Sequence, residues 1–496
     1  MLFDPSPQTG GRFGASTLIA DLNLDGHGDL IVGAPGKNVG TVGGAGQVYI
    51  RPGPISGTPT TWLTITEPAA TGGPQIDGQF GFRLATGDFN ADGYPDLAVT
   101  AIGATIDPGY FTGFEQGQVI VLFGPFDYSS PAIFLGVAVG LTEPNDKRIN
   151  APPGPGDRFG YRLAVGDPDV DDRDDLIIGA PFSDVPKPVS GTWFLAGEAY
   201  CFFGDMFTPF SRLEYIPHPD TNGDTIGPED DCLWGLDIVV GNFKDNPDFP
   251  GPDVVIAAYN KDYPPPNGYL NQGEFFVYLD WRVTGSFDPA RSVYLTYDRP
   301  CVECRQGADC GWEMTAGRFD GDNFDDLLVG APRGFTGGIH SNLGEAILYP
   351  GGPQMGQYNP NNFWFVAPEV SIDIYDRFGS GLALLDQDGD GLKDEVIAAG
   401  PWFDADPPAA PLRGEGRAWL IQSFGAMNPD SSRVPTQWSA IADPTPEDNT
   451  GNPGWGWANV EIGKLNGNTR EDAVIGNPSA TYLLFENAGE VRVIIW

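Results

Sequence analysis

The chain has 496 residues, and its 67 acidic and 27 basic residues give a formal net charge of −40. Such a surface repels nucleic acid and anionic lipid, so neither is expected as a partner. Hydrophobic residues make up 41% of the chain, enough for a large core, while 69 glycines and 47 prolines predict many turns between short strands. No apolar run reaches the roughly 18 residues of a membrane-spanning helix, so membrane insertion is not expected.

The first repeated stretch covers residues 13–35, where an apolar run, an acidic loop and a second apolar run follow one another. The loop, residues 21–29, has oxygen-bearing side chains at its first, third, fifth and ninth positions, and a glycine at its sixth. Carboxylates and amides that converge on one point suit a hard cation such as Ca²⁺, and the glycine allows the tight turn. The stretch therefore predicts a calcium loop between two strands.

The same pattern returns six more times along the chain. Copies two, three and six keep the aromatic–glycine pair, the acidic loop and the apolar run, starting at Phe80, Phe159 and Phe378. In copies one to three the interval from the aromatic residue to the first loop acid is constant, at 21−13, 88−80 and 167−159, which is eight residues each time. Repetition at fixed spacing indicates one supersecondary unit per copy.

The loops of the other three copies have decayed. In copy four the loop is stretched from Asn242 to Asp253, so the ligand spacing is lost. In copies five and seven a basic residue stands at the first loop position, Arg318 and Lys464. We interpret these side chains as cations that replace the metal and neutralise the remaining loop acids. A distorted metal site is the alternative.

The repeats predict the fold class. The first loop positions are residues 21, 88, 167, 242, 318, 386 and 464, and each unit has three or four strand-like runs. This pattern predicts an all-β, seven-bladed β-propeller with four-stranded antiparallel blades, forming a single domain over residues 1–496. Copy seven ends on its third strand, so the N-terminal strand is expected to complete the last blade and close the ring. The expected blades are residues 13–79, 80–158, 159–233, 234–309, 310–377, 378–454 and 455–496 with 1–12.

Five cysteines are present, and their spacing leaves their chemistry open. Cys301, Cys304 and Cys310 could supply three zinc ligands, but no fourth cysteine or nearby histidine completes a site. A local disulfide among these three is the preferred interpretation. Cys201 and Cys232 could pair across a blade.

These motifs resemble the FG-GAP repeat of integrin α-subunit propellers: Phe-Gly, then an acidic D-x-[DN]-x-D-G-x-x-D loop, then Gly-Ala-Pro. The resemblance covers essentially the whole chain and is to a free-standing, bacterial-type relative of the integrin head. It implies about four structural Ca²⁺ ions, in copies one, two, three and six. The implied side-chain ligands are Asp21, Asn23, Asp25, Asp29; Asp88, Asn90, Asp92, Asp96; Asp167, Asp169, Asp171, Asp175; and Asp386, Asp388, Asp390, Asp394. The seventh loop position is implied to offer its backbone carbonyl, at His27, Tyr94, Arg173 and Leu392.

The resemblance also implies a function. We expect a calcium-stabilised extracellular binding or adhesion module, a monomer that recognises a protein through the upper-face loops. The long loops rich in aromatic residues and proline are residues 105–116, 183–195, 259–272 and 402–413. The alternative is a Ca²⁺-dependent, lectin-like propeller that binds a glycan.

Neither catalysis nor a cytoplasmic location is expected. The chain has three histidines and no nucleophile, metalloprotease or phosphate-binding motif, so it is expected not to be an enzyme. No signal leader is visible at Met1, so the chain is either cytoplasmic or already processed. We favour a processed, secreted chain, because the millimolar Ca²⁺ outside cells suits weak loop sites.

Overall fold

The computed structural model describes residues 1–55, 62–106, 115–129, 137–144, 156–186, 192–218, 231–244, 251–258, 273–278, 287, 292–296, 309–333, 344–353, 355, 363–365, 377–400, 417–424, 432–433, 435–441, 460–480 and 488–496. The chain divides into two compact units. The first contains Met1–His218, Pro228–Ile238 and Glu461–Trp496, and the second contains Pro219–Gly227 and Val239–Val460. That all seven blades form a single domain stays a prediction, and each unit is described by itself.

The first unit contains the blades of copies one, two, three and seven. In the first three, four strands pair antiparallel in chain order. The strands are β2 (Ser16–Ala20), β3 (Asp29–Ala34), β4 (Gln47–Arg51) and β5 (Leu63–Ile65); β6 (Phe80–Gly87), β7 (Asp96–Ala101), β8 (Gln118–Leu122) and β9 (Ala138–Thr142); and β10 (Arg162–Gly166), β11 (Asp175–Ala180), β14 (Glu198–Phe202) and β15 (Leu213–Ile216). A short hairpin, β12 (Val185–Pro186) with β13 (Thr192–Trp193), and one 3-10 turn, Ala69–Thr71, lie in the connections.

The blade of copy seven uses both ends of the chain. Its strands β29 (Val460–Gly463), β30 (Asp472–Asn477) and β31 (Glu490–Ile494) are completed by the N-terminal strand β1 (Leu2–Phe3). Leu2 lies opposite Val491 and Phe3 lies opposite Glu490 in an antiparallel pair. The predicted exchange of the terminal strand is therefore confirmed.

The second unit contains the blades of copies five and six and the blade of copy four from Val239 onward, while the start of its first strand belongs to the first unit. The strands are β16 (Trp234–Gly241), β17 (Asp253–Ala258), β18 (Glu274–Tyr278) and β19 (Ser292–Thr296); β20 (Met314–Gly317), β21 (Asp326–Ala331), β22 (Glu345–Tyr349) and β23 (Phe363–Phe365); and β24 (Gly381–Leu385), β25 (Glu395–Gly400), β26 (Arg417–Phe424) and β28 (Pro435–Ile441). A short strand, β27 (Ser432–Arg433), pairs in parallel with β23. Seven antiparallel blades of four strands confirm the predicted fold class, an all-β, seven-bladed β-propeller.

The glycines of the repeat allow neighbouring blades to approach closely. A Cβ atom on Gly33, at the end of β3, would lie 2.0 Å from the carbonyl oxygen of Gly81 in the next blade. A Cβ atom on Gly46 would lie 2.1 Å from the carbonyl oxygen of Phe80, with which Gly46 forms a parallel bridge. Both contacts are shorter than any side chain allows, so the motif requires glycine at these places.

Apolar side chains fill the space between adjacent blades. All six residues of β3 are buried, as expected for a strand covered on both faces. Ile31 and Ile50 of the first blade pack in one cluster with Leu97 and Ile120 of the second. The fold thus rests on interfaces between blades, and the loops at the blade edges are left to carry function.

Of the cysteine assignments that the sequence left open, the pairing of Cys201 with Cys232 is contradicted, while a disulfide between Cys301 and Cys304 stays a prediction. Cys201 is a free, fully buried thiol on β14, opposite Ile177, so it forms no disulfide with Cys232. Cys310 is also free and fully buried, because it occupies the place that Phe or Trp has in the other copies, against Gly273. Cys310 therefore serves as a core side chain. Cys301 and Cys304 lie outside the described residues.

Within the described ranges, no helix is long and apolar enough to cross a membrane.

Candidate metal sites

The four intact acidic loops join the first and second strands of their blades, and the first acid bends each loop. Asp21 accepts hydrogen bonds from the N–H groups of Asp25 and Gly26, at 3.0 and 2.8 Å. Asp88 accepts the equivalent bonds in loop two, at 3.0 and 2.9 Å. Asp167 does so in loop three, at 2.9 Å each, and Asp386 accepts two N–H groups in loop six, at 2.7 and 3.0 Å. The first acid is therefore what curls the loop.

The third and fifth positions complete the curl by shorter-range bonds. In loop two, Asn90 Oδ1 accepts the N–H of Asp92 at 3.0 Å, and Asp92 Oδ1 accepts the N–H of Tyr94 at 2.9 Å. The same two bonds recur in loop one, from Asp25 to Asn23 and from His27 to Asp25, at 3.1 and 3.0 Å. In loop six they run from Asp390 to Asp388 and from Leu392 to Asp390. In loop three, Asp171 accepts the N–H of Arg173 at 3.1 Å.

Two loops bring three carboxylates together without any ion. Ligand oxygens of Asp167, Asp169 and Asp175 lie within 4.8 Å of one another, and so do those of Asp386, Asp388 and Asp390. Like charges at this separation repel unless a cation or a proton compensates them. These two loops therefore have a geometry that a divalent ion fits.

Loop three offers carboxylate oxygens with no other partner. Asp175 is fully buried, and its Oδ1 accepts the N–H of Gly204 at 2.8 Å, while its Oδ2 is buried without a hydrogen bond. In loop two the equivalent oxygen, Asp96 Oδ2, accepts the N–H of Phe89 at 3.0 Å. Loop three has Pro168 at that position, which has no N–H to donate. One oxygen of Asp169 is likewise buried without a partner. A buried, unpaired carboxylate oxygen is costly unless it binds a cation.

The ninth acid has a structural role that sequence reasoning missed. In loop one, Asp29 accepts the N–H of Leu22 and the N–H of Gly53, at 3.1 and 2.9 Å, and so joins the loop to the end of β4. The phenol of Tyr128 also donates to it at 2.5 Å. The equivalent acid is kept in loops that lack the first acid: Asp253 accepts the N–H of Phe243, and Asp326 that of Phe319. This acid is therefore needed by the fold, whether or not a metal binds.

Burial raises the pKa of these ninth acids in the ion-free chain. The pKa of Asp29 rises to about 6, that of Asp96 to about 7 and that of Asp175 to about 8. Removal from water is the main cause in each, and the neighbouring loop carboxylates raise the pKa further. A bound divalent cation would favour the ionised form of all three.

In loop six the structure places a different acid at the start of the second strand. Leu385 pairs with Glu395, as Gly87 pairs with Asp96 in loop two, so loop six is one residue longer. Glu395 is buried and accepts the N–H of Gln387 at 2.9 Å, whereas Asp394 lies one residue earlier and is half-buried. The signal was present, because in the other copies the acid immediately precedes the apolar run, as Glu395 does here.

We expect Glu395→Ala to destabilise the chain by about 1–3 kcal/mol, because the buried N–H of Gln387 loses its acceptor. Asp394→Ala, the neighbouring control, should change stability by less than about 0.5 kcal/mol. Guanidinium unfolding of both variants with a chelator present separates this effect from metal binding. Equal losses for the two variants would contradict the assignment of Glu395 to the structural position.

The basic residues at the first loop position of copies five and seven are on the surface. The side chains of Arg318 and Lys464 are both exposed. In the described parts of these loops the shorter-range bonds remain: Asp320 accepts the N–H of Asp322 at 3.2 Å, and Asn466 accepts that of Asn468 at 2.9 Å. That Arg318 and Lys464 replace a metal ion stays a prediction.

The opposite edge of the blades carries the strand 2–3 and 4–1 loops. Of the four long loops, residues 105–106, 115–116, 183–186 and 192–195 are described, while 259–272 and 402–413 lie outside the described residues. Ile76 is 74% exposed and Phe194 60% exposed on this edge of the first unit. Apolar side chains exposed at loop positions fit recognition of a partner.

Buried acids lie beneath the same edge. Glu143 accepts hydrogen bonds from Ser183 Oγ at 2.9 Å and from the phenol of Tyr200 at 3.3 Å, and its pKa is raised by burial and by Asp157 and Glu198. Glu67 follows β5 as Glu143 follows β9, each in a Thr-Glu-Pro sequence. Both carboxylate oxygens of Glu67 are buried without a hydrogen bond, and burial raises its pKa to about 7.

Glu67 should make the chain less stable as the pH rises. The folded chain holds a proton on Glu67 more tightly than the unfolded chain does. The contribution of this proton to the free energy of unfolding is therefore fully present below pH 4.5 and is lost as the pH rises to about 7. We expect Glu67→Gln to raise the free energy of unfolding by about 2 kcal/mol at pH 8 and to change it little at pH 4.5. Guanidinium unfolding at both pH values measures this. A gain of equal size at both would show that ionisation is not the cause.

The chain is similar to a known repeat family and to two groups of known proteins. The model of the FG-GAP repeat matches residues 13–50 and 80–122. Integrin alpha-IIb of Mus musculus is 36% identical over 184 residues, which cover 35% of this chain and 15% of the relative. Phosphatidylinositol-glycan-specific phospholipase D of Mus musculus is 28% identical over 461 residues, and that of Bos taurus is 29% identical over 427 residues. These matches cover 88% and 83% of this chain, and 48% and 46% of the relatives.

The fold and the loops define a β-propeller with acidic strand 1–2 loops. The chain is a seven-bladed β-propeller that contains FG-GAP repeats and is similar to an integrin α-chain over part of its length. It spans about half the length of the curated phospholipase relatives that it matches.

The expectation that the chain is not an enzyme is contradicted by these comparisons. The relatives that match over most of this chain carry the name of an enzyme, a phospholipase D. Motif reasoning missed this because the repeat motif describes the fold of the propeller, and a fold does not determine chemistry.

Proposed function

We propose that the chain is a calcium-stabilised recognition module that works outside the cell as a monomer. The observation that carries the calcium assignment is in loop three, where buried oxygens of Asp169 and Asp175 have no hydrogen-bond partner and converge with Asp167. Oxygen ligands of this kind suit Ca²⁺. In loops one, two and six, as in loop three, the first acid accepts two backbone N–H groups of its own loop. Arg318 and Lys464 would leave loops five and seven without an ion.

In this proposal the ion has a structural role. When bound, it supplies the positive charge that offsets the carboxylates crowded into each loop. The first acid of each loop already holds the loop curled by accepting backbone N–H groups, at Asp21, Asp88, Asp167 and Asp386. Binding of the ion therefore requires little rearrangement of the chain. The ninth acids fix each loop to its blade.

Recognition is assigned to the opposite edge, where Ile76 and Phe194 are exposed on strand 4–1 and 2–3 loops. The similarity to integrin α-chains favours a protein partner. This can be tested by screening the chain against an array of purified extracellular domains, with Phe194→Ser as the variant and Phe207→Ser, an exposed residue on the other edge, as the control. Binding that is lost with Phe194→Ser alone supports the proposal, and equal binding by both variants contradicts it.

A second candidate comes from the phospholipase relatives. Their match over most of this chain favours a role as the propeller part of a related enzyme, in which it would recognise a glycan-bearing phosphatidylinositol. Vesicles that contain a phosphatidylinositol glycan, compared with vesicles of phosphatidylinositol alone, test this. Calcium-dependent binding to the first and not the second, or release of phosphatidic acid, would favour this candidate over a protein partner.

The metal assignment has its own test. Long-wavelength anomalous diffraction from crystals grown with Ca²⁺ should show four peaks, in loops one, two, three and six. Peaks in loops five or seven would overturn the proposed role of Arg318 and Lys464. No peak in any loop would overturn calcium binding.

A further inference from the structure

At its ligand positions, loop three carries one more carboxylate than loops one and two. Its third position is Asp169, where loops one and two have Asn23 and Asn90. The guanidinium of Arg212 lies 2.5 Å from Asp169 Oδ2, and the side chain of Asp169 is only 6% exposed. The additional acid is therefore matched by a basic residue from outside the loop.

In the second blade the place of Arg212 is taken by a residue that is not basic. Arg212 precedes β15, and its carbonyl accepts the N–H of Phe203 at 3.0 Å. In the second blade the same bond runs from Phe123 to Val137, at 3.1 Å. An acid at the third loop position and a cation at this strand position thus occur together in blade three, and both are absent from blade two.

Arg212 holds its position from the surface. Its guanidinium carbon lies 3.5 Å from the centroid of the Phe203 ring, and its side chain is 53% exposed. It contacts one oxygen of Asp169, while the other oxygen is buried without a partner. A half-exposed arginine can move off a carboxylate without disturbing the core, so Asp169 can exchange this cation for another.

We propose that Arg212 is the internal counter-charge of loop three and competes with Ca²⁺ for Asp169. The inference rests on the calcium sites proposed above. Without Ca²⁺ the guanidinium of Arg212 neutralises Asp169. An incoming ion must weaken this ion pair before it can interact with all the carboxylates of the loop. Calcium affinity rises with the number of uncompensated ligand charges. Arg212 therefore lowers the affinity of loop three and lets the loop persist without an ion.

A double-mutant cycle on Arg212 and Asp169 tests the competition. Arg212→Gln should tighten Ca²⁺ binding at loop three by about tenfold, because one repelling charge is removed. The same substitution in an Asp169→Asn background should have little effect, because the carboxylate for which the two cations compete is gone. Val137→Gln, at the equivalent place in blade two, is the control and should leave loop two unchanged. Calorimetric titration gives the affinities, and anomalous peak heights at limiting Ca²⁺ assign them to loops.

The outcomes separate this inference from the function on which it rests. If loops one and two fill with Ca²⁺ and Arg212→Gln leaves the occupancy of loop three unchanged, the competition is overturned and the calcium sites stand. Weaker binding in Arg212→Gln would also overturn it, because Arg212 would then support the site. If no loop of the unaltered chain binds Ca²⁺, the proposed calcium sites fail first.

Discussion

Removal of Ca²⁺ is expected to lower the thermal unfolding midpoint of the chain by more than about 10 °C. Each ion held at a concentration about 100-fold above its dissociation constant adds about 2.7 kcal/mol of stability, so four ions add about 10 kcal/mol. The physical cause is the carboxylates in each loop, which lie within 4.8 Å of one another in loops three and six and repel when the ion leaves. Scanning calorimetry with calcium and with a chelator measures the shift.

The control for this experiment is magnesium, which prefers a smaller, near-octahedral site and should restore much less of the midpoint. A variant gives a second control. Asp88→Ala removes the acid that curls loop two, so it should reduce the calcium-dependent part of the shift, whereas Asp127→Ala, an exposed acid outside the loops, should not. An unchanged midpoint in the presence of chelator would show that the loops hold no stabilising ion.

Breaking the buried ion pair between Lys37 and Asp4 is expected to cost about 3–5 kcal/mol. Lys37 Nζ lies 2.5 Å from Asp4 Oδ2, both side chains are buried, and Lys37 also donates to the carbonyl of Ser6. The pair joins the segment that follows β1 to the connection between β3 and β4. In Lys37→Met the carboxylate of Asp4 stays buried without its cation, which is the source of the cost. Guanidinium unfolding measures the loss.

Two further variants define the origin of that loss. Lys37→Met combined with Asp4→Leu removes both charges and should recover most of the stability. Arg158→Met breaks a half-exposed pair with Glu115 and should cost less than about 1 kcal/mol. If Lys37→Met is no worse than Arg158→Met, the terminal segment is not held by this pair.

The repeat pattern of the sequence was sufficient to predict the architecture. The seven recurrences of the loop and its flanking apolar runs predicted seven blades, and the incomplete last copy predicted the role of the N-terminal strand, which pairs Leu2 with Val491. These features are local and periodic, so each can be read from one copy and checked against the next. The motif glycines also recur from copy to copy. Gly33 and Gly46 lie so close to the backbone of the next blade that no side chain fits there.

Sequence decided less about the loops. The first acids bend turns that are local in the chain, because Asp21 and Asp88 each accept N–H groups from residues four and five positions later. Sequence reasoning missed Glu395, although this acid directly precedes the apolar run, and the pairing of Glu395 with Leu385 in the sheet shows the one-residue insertion. It also left the pairing of the cysteines open, whereas in the structure Cys201 and Cys310 serve as core side chains.

What the sequence by itself determined is the chain of seven repeats, their strand order and the acids that bend each loop, because all of these depend on residues close in the chain. The tertiary structure decided which charges meet. Arg212 reaches Asp169 from 43 positions away, and Tyr128 reaches Asp29 from 99 positions away. Such pairings depend on how one strand connection or blade lies against another, and no spacing within a single repeat encodes them.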